Sequence, residues 1–213
     1  MKNKNDESKE RILNESLELF KKHGINYVTM DSIAANLGIS KKTLYNSFQS
    51  KEELLSDCLE SYLKSRRDHN ITLVETARNV IEGMVALLGH AIREISRFNP
   101  IFFDELSRYF PQLSRDLIDK QWEKDYDDLS KLMQQGKSQG MILESIHDDI
   151  LTKALIAQSE LISNRDLFPI DRYARTDLFQ QIYFTFIRGI ATPEGHSILN
   201  DVMESQKYSE LQP

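Results

Sequence analysis

The sequence predicts an all-α protein, with an amino-terminal three-helix domain built around a helix-turn-helix and a larger helical domain after it. Three observations lead there. Only 8 glycines and 5 prolines occur in 213 residues, too few for the many tight turns of a sheet-rich fold. Apolar residues recur at three- and four-residue spacing through most of the chain, the period of an α-helix. Three helix-start signals also follow one another closely, at Thr29, Ser40 and Ser50.

The first helix is expected at 10–24, in RILNESLELFKKHG. Leu13, Leu17 and Phe20 share a face there, and Gly24 permits the left-handed residue that ends many helices. A second helix is expected at 30–37, with Thr29 as N-cap and Asp31 suited to the positive end of the helix dipole. Val28 and Ile33 form a hydrophobic staple across that cap. Gly38 ends the helix, and Ser40 starts a third at 41–48, with Ile39 and Leu44 in the staple positions. Ser50 and Glu53 have the spacing of a capping box for a fourth helix at 51–68, Glu53 reaching back to the cap.

About three residues around Gly38 separate the second helix from the third, which is helix-turn-helix spacing. Ile33, Leu37, Leu44 and Phe48 supply its small core, and Ala34 lets the two helices cross closely. Further helices are expected at 71–98, 101–110, 112–138, 147–164 and 174–190, broken at Asn99-Pro100, Phe110-Pro111 and Gly136 to Gly140. A short helix is expected near 194–205, and QKYSELQP after it should fray. The domain boundary is placed after residue 50. Residues 1–50 form the helix-turn-helix domain, and the helix from 51 connects into a second domain, 51–213.

Composition excludes several classes. Hydrophobic residues at 40% and charged residues at 28% suit a globular domain in water. The polar start MKNKNDESKE lacks the apolar stretch of a signal peptide, and no window reaches the roughly 20 apolar residues of a membrane helix. The expectation is a cytoplasmic protein with no membrane partner. A single cysteine, Cys58, excludes an internal disulfide framework and a Cys-rich zinc site, and its place after Leu55 suits packing better than redox sensing. The five histidines (23, 69, 90, 147 and 196) are scattered without metal-ligand spacing. No phosphate-cradling glycine loop or nucleophile elbow occurs. No catalytic residue, metal or cofactor is therefore expected, and the chain does not read as an enzyme.

The net charge of −6 opposes a generic nucleic-acid coat, but the charge is unevenly spread. Residues 1–67 hold twelve basic against ten acidic side chains, and the remainder fifteen against twenty-three. The amino-terminal third is the part suited to a polyanion. There, a helix of about eight residues is about 12 Å long, close to the width of the B-DNA major groove. Its first turn carries Ser40, Lys41, Lys42 and Thr43. Lysine can donate to guanine O6 and N7, and hydroxyls can bond several base edges or phosphates. Tyr45 can pack its ring and turn its hydroxyl to a phosphate. Thr29 with its neighbouring amides offers an anion site at a helix start, and Lys51 a second phosphate contact. By residue type alone an alternative stays open: a helical interaction protein whose helix-turn-helix meets another protein.

The run ILNESLELFKKHGINYVTMDSIAANLGISKKTLYNSFQSKEELL resembles the amino-terminal domain of the tetracycline-repressor (TetR) family of bacterial transcription regulators. The resemblance rests on the Phe20–Gly24 helix ending, Thr29, Ile33-Ala34, Gly38, Tyr45-x-x-Phe48 and the close Ser50-Lys51-Glu52-Glu53-Leu54. Ser47 departs from the family where many members carry His, and Glu15-Ser16 where two alanines are common. The resemblance implies a homodimer that binds a partly palindromic double-stranded DNA operator and releases it on binding a small-molecule effector, its helix-turn-helix units in successive major grooves. It implies that Ser40, Lys41, Lys42 and Thr43 approach base edges, that Thr29, Tyr45 and Lys51 hold the backbone, and that Asn46 does either.

The resemblance also gives the remaining helices their roles. Family members commonly dimerise through their last two long helices. Leu151, Leu155, Gln158 and Ile162, with Phe179, Ile182, Tyr183, Phe186, Ile187 and Ile190, are candidates by spacing. The same stripes fit a face turned to the chain's own core, and the sequence leaves both open. An effector pocket is expected within 71–180. Its candidate linings are Met84, Phe98, Phe102, Phe103, Tyr109, Phe110, Trp122 and Met133, with His90, Glu94 and Asp104 as polar contacts. The same aromatic and methionine side chains are common core residues.

Overall fold

The computed structural model describes residues 4–164, 166–169 and 171–204. Among them are ten helices and no strand beyond one isolated bridge, Ile142 to Ala191. The helices are α1 (Lys4–His23), α2 (Met30–Leu37), α3 (Lys41–Ser47), α4 (Lys51–Thr76), α5 (Val80–Ser96), α6 (Ile101–Tyr109), α7 (Pro111–Ser138), α8 (Asp148–Ser163), α9 (Arg175–Ile190) and α10 (Pro193–Glu204). The expected fraying of QKYSELQP concerns residues outside those described.

The chain divides into two compact units, and the division does not fall at residue 50. One unit comprises 1–67 with 97–119, the other 68–96 with 120–213. The physical reason is the hydrophobic core. Phe20, Ile25, Ile33, Leu44 and Phe48 of the first three helices share one buried cluster with Leu54, Leu55, Cys58 and Leu59 of α4. Phe98, Phe102, Leu106, Leu113 and Leu117, from far along the chain, complete it. A helix-turn-helix of 50 residues cannot bury this much surface alone, so α4 and α6 close it.

The short helices are held by their ends. Thr29 and Ser32 cap α2 reciprocally, the Thr29 hydroxyl accepting the Ser32 N–H (3.1 Å) and the Ser32 hydroxyl accepting the Thr29 N–H (2.9 Å). At the other end Gly38 takes φ 66°. Ile39 N–H bonds the Ala34 carbonyl (3.1 Å) and Gly38 N–H that of Ala35 (3.2 Å), the Schellman pairing. Arg11 of α1 satisfies a further carbonyl there, Leu37 O, at 3.1 Å. Ser40 caps α3 by accepting the Thr43 N–H (3.0 Å).

Two boundaries differ from expectation. Helix α1 begins at Lys4 rather than 10, and α4 runs to Thr76, so the break expected near 70 lies at 77–79. Asn79 sets it, its Oδ1 accepting the Glu82 N–H (2.9 Å) while the Glu82 carboxylate accepts the Arg78 N–H (3.0 Å). The start of α4 uses the same pattern. Ser50 accepts the Glu53 N–H (3.1 Å), but Glu53 returns to the Gln49 N–H (2.6 Å), one residue before the cap expected to receive it.

The second unit packs α5 against α9 and α10, with Ile81, Val85, Leu132, Met133, Ile142 and Leu199 at its centre. The turn after α7 is joined to the turn after α9. Leu143 N–H bonds Ile190 O (2.9 Å), Thr192 N–H bonds Met141 O (3.0 Å), and the Thr192 hydroxyl donates to Gly140 O (2.8 Å).

Candidate nucleic-acid interface

The loop 24–28 sets where α2 begins, and two opposite charges hold it. From α6, the buried Glu105 carboxylate accepts the N–H groups of Ile25 (2.5 Å) and Asn26 (3.0 Å). From α4, the Lys51 ammonium donates to the carbonyls of Ile25 (2.7 Å) and Val28 (2.9 Å). Gly24 carries φ 80° beneath this clamp, and a Cβ there would lie 2.8 Å from both Glu105 Oε2 and Ile101 Cγ2. Burial pulls the Lys51 pKa below the ordinary lysine range, with Glu105 opposing. Lys51, expected on sequence grounds at a phosphate, has two of its three donors committed to this loop.

The first turn of α3 is exposed, and its side chains differ in what they hold. The Ser40 and Thr43 hydroxyls lie 2.8 Å apart, a pair formed by the cap itself. The Lys41 ammonium meets the Asp31 carboxylate across the helix pair at 2.5 Å. Lys42 makes no ion pair among the described residues and stands in solvent. Further along, Tyr45 is 48% exposed, Asn46 is exposed, and the Ser47 hydroxyl turns back to Thr43 O at 3.4 Å. Thr29 is exposed, its hydroxyl engaged in the α2 cap. Leu44 and Phe48, on the opposite side of α3, are buried. The face therefore combines hydroxyls, amides, one free lysine and one bridged lysine on a rigid pair of helices. Such a surface can reach phosphates and base edges together.

Sequence reasoning missed Tyr27, 82% exposed in the clamped loop two residues before Thr29. Nothing local marked it, since aromatic residues before a cap are more often staple residues, and Val28 fills that role here. Glu105 was equally hidden, 80 residues from its partner Ile25.

Residues 12–58 match the profile of the bacterial regulatory proteins of the tetR family. Over those residues the chain carries the amino-terminal domain of the TetR family. The chain is 31% identical over 100 residues to the HTH-type transcriptional regulator YvaF of Bacillus subtilis (strain 168), covering 46% of this chain and 52% of that protein. It is 26% identical over 185 residues to the HTH-type transcriptional repressor KstR of Rhodococcus jostii (strain RHA1), covering 86% and 82%. The matched region thus spans about half the length of YvaF. Among solved structures, a TetR transcription regulator from Haloarcula marismortui shares the fold at TM-score 0.72 and 16% identity, with 88% of this chain and all of that chain covered. A transcriptional regulator from Saccharomonospora viridis in complex with choline does so at TM-score 0.68 and 23% identity, covering 88% and 99%.

The expected effector residues are not brought together. Phe98 and Phe102 belong to the core of the amino-terminal unit, in ring contact with each other (5.0 Å) and, through Phe98, with Tyr62 (5.6 Å). Phe103 and Tyr109 of α6 are exposed and Phe110 is half-buried, while Met84 and Met133 lie in the core of the other unit. Trp122 is half-buried and stacked on Tyr126, whose hydroxyl donates to Asp149 (2.7 Å). Of the polar candidates, His90 Nδ1 pairs with Asn70 Oδ1 (2.8 Å) on α4. Glu94 is half-buried in the second unit, and Asp104 is exposed in the first. The separation has one cause: α6 packs with the helix-turn-helix, which the spacing of aromatic residues could not reveal. A concavity of about 280 Å³ in the second unit lies elsewhere, between the end of α4 and α5, with Leu73, Thr76 and Arg93 on its wall.

The expected dimer residues all pack, wholly or in part, against the chain's own core. Leu155, Ile162, Ile187 and Ile190 are buried within the chain, and Leu151, Phe179, Tyr183 and Phe186 are half-buried against the same core. The stripe left in solvent on α8 is a different one: Ile150 (61% exposed), Ala154, Ala157 and Leu161 (41%), at helical spacing on one side. No helix among the described residues is long and apolar enough to cross a membrane.

Proposed function

We propose that this chain is a homodimeric repressor of the TetR family that grips a two-fold-symmetric operator through α2 and α3 and releases it on binding a small effector. The exposed first turn of α3 carries the proposal. It presents Ser40, Lys41, Lys42 and Thr43 on a helix whose other side is fully packed. Tyr45, Asn46, Thr29 and Tyr27 are assigned to the phosphate backbone. Lys51 acts there by positioning the loop 24–28, with one ammonium donor left for a phosphate.

The partner for α8 is a second copy of the chain. An isologous contact needs a self-complementary patch, and small alanines between two larger apolar residues let helices approach closely. The effector belongs to the unit formed by 68–96 and 120–213. Selection of bound duplexes from random DNA tests the whole. The enriched site should be palindromic, with half-sites about 34–36 Å apart, and binding should weaken steeply with salt. Failure to enrich any duplex, with a protein bound to the α2–α3 face instead, would replace this function with the interaction-protein alternative. Compounds screened for release of the enriched duplex then identify the effector.

A further inference from the structure

The concavity between the end of α4 and α5 has an apolar floor, with Leu73 and Ala77 on one side and Ala86 on the other. Its volume of about 280 Å³ is close to the roughly 300 Å³ at which small-molecule sites begin. Its charged groups run against their surroundings. Residues 68–213 hold fifteen basic against twenty-three acidic side chains, yet this wall carries two arginines and one carboxylate. That carboxylate, Glu82, is already engaged. Its Oε1 accepts from Arg78 Nη2 (3.1 Å), and its Oε2 accepts both the Arg78 Nε–H (3.0 Å) and the Arg78 backbone N–H (3.0 Å). Arg93 differs: it is exposed, and its guanidinium has no hydrogen bond or ion pair among the described residues. The Thr76 hydroxyl gives its proton to Thr72 O (2.7 Å), which leaves it only an acceptor. Among the described residues no aromatic ring lines the wall, so a cation would find neither a π face nor an open carboxylate there.

We propose that this concavity binds an amphipathic carboxylate, with its apolar chain over Leu73, Ala77 and Ala86 and its carboxylate on the Arg93 guanidinium. The proposal names the chemical class of the effector and, for that role, rests on the operator-releasing function given above; the binding itself does not depend on it. A guanidinium presents parallel N–H donors that a carboxylate accepts two at a time, and arginine keeps its charge throughout the physiological range. Arg93 gives up no internal partner on pairing, so the gain is not offset by a broken ion pair. The chain of the ligand covers carbon that the fold leaves only partly buried at Leu73 and Ala77.

The test is calorimetric titration of the full chain with octanoate, octan-1-ol and octylammonium, which share one apolar chain and differ in charge. Octanoate should bind about tenfold more tightly than the alcohol, and octylammonium more weakly than either. Arg93→Gln should bring octanoate to the level of the alcohol and leave the alcohol unchanged. Arg172→Gln, which removes an exposed charge outside the wall, should change neither. Ala86→Leu fills the concavity and should weaken all three ligands, with thermal melting confirming that each variant is folded. Undetectable octanoate binding, equal affinities for the three ligands, or an octanoate preference that survives Arg93→Gln would overturn the proposal. Octanoate binding untouched by Ala86→Leu would place the ligand elsewhere and overturn it too. Release is read separately, on the self-selected duplex. Octanoate held through Arg93 that leaves the duplex bound would support the site and refute the effector role.

Discussion

The α2–α3 region and the α8–α9 region are both helix pairs, but they are held by opposite means. In the first, nearly every end is tied by a named side chain to a backbone group: Thr29, Ser40, Arg11, Lys51 and Glu105 each close one. In the second, His147 and Ala174 start their helices without a side-chain cap bond, and Leu155, Phe184 and Ile187 do the holding by packing. Polar ties fix geometry to within a hydrogen bond, as a surface that must match a groove requires. Apolar packing tolerates adjustment, which suits the second copy and the ligand proposed for this unit.

Substitutions at four positions probe that contrast. Ala157→Glu should have the largest effect. Two copies would each bury an unpaired carboxylate in the proposed interface, costing about 3–5 kcal/mol of association, so sedimentation should show monomers. Because Ala157 is exposed in the single chain, its melting should change little once dimer loss is allowed for. Glu105→Ala comes next. It leaves the buried Ile25 N–H unanswered and the Asn26 N–H to water, and denaturation should report a loss of about 2–3 kcal/mol. Glu105→Gln keeps an acceptor and should recover part of that.

The Cys58 thiol tests the packing of α4 against α1. Burial, with Asp57 adding to it, pushes the thiol from an ordinary 9.0 up to about 12, and the thiol donates to Leu13 O at 3.3 Å. The folded state thus keeps a proton that the unfolded chain gives up above pH 9. Stability falls as pH rises between 9 and 12, by about 1.4 kcal/mol per pH unit from this group. Comparison of the wild type with Cys58→Ala in denaturant at pH 8 and 10 isolates that slope. Gly38→Ala is the mildest. A Cβ there meets nothing within 4 Å, so only the left-handed backbone, at φ 66°, opposes it, costing about 1 kcal/mol.

What the sequence made legible follows the same contrast. The caps at Thr29, Ser40 and Ser50 and the stop at Gly38 are local, and α2, α3 and the start of α4 beside them lie within a residue of expectation. Asn79 and Glu82 carried the same local signal at the start of α5, overlooked because no small hydroxyl residue announced it. Long-range features could not be read in this way. No spacing connects Glu105 to Ile25, and none tells which of two faces of α8 turns inward. The chosen stripe through Leu151 and Leu155 and the exposed stripe through Ile150 and Ala154 are both apolar at helical period. Whether Lys41 is bridged likewise depends on how α2 and α3 cross, not on either helix alone.

The hydrogen bonds between the turn at 140–143 and the turn at 190–192 join points up to 52 residues apart. They act as a clasp at the base of the α8–α9 hairpin. A chain cut in the connection between those two helices would keep α9 fastened by Ile190, Ala191 and Thr192, so the nicked protein should still migrate as one body. The hairpin can thus be lengthened, permuted or opened at its tip by evolution without loosening its root.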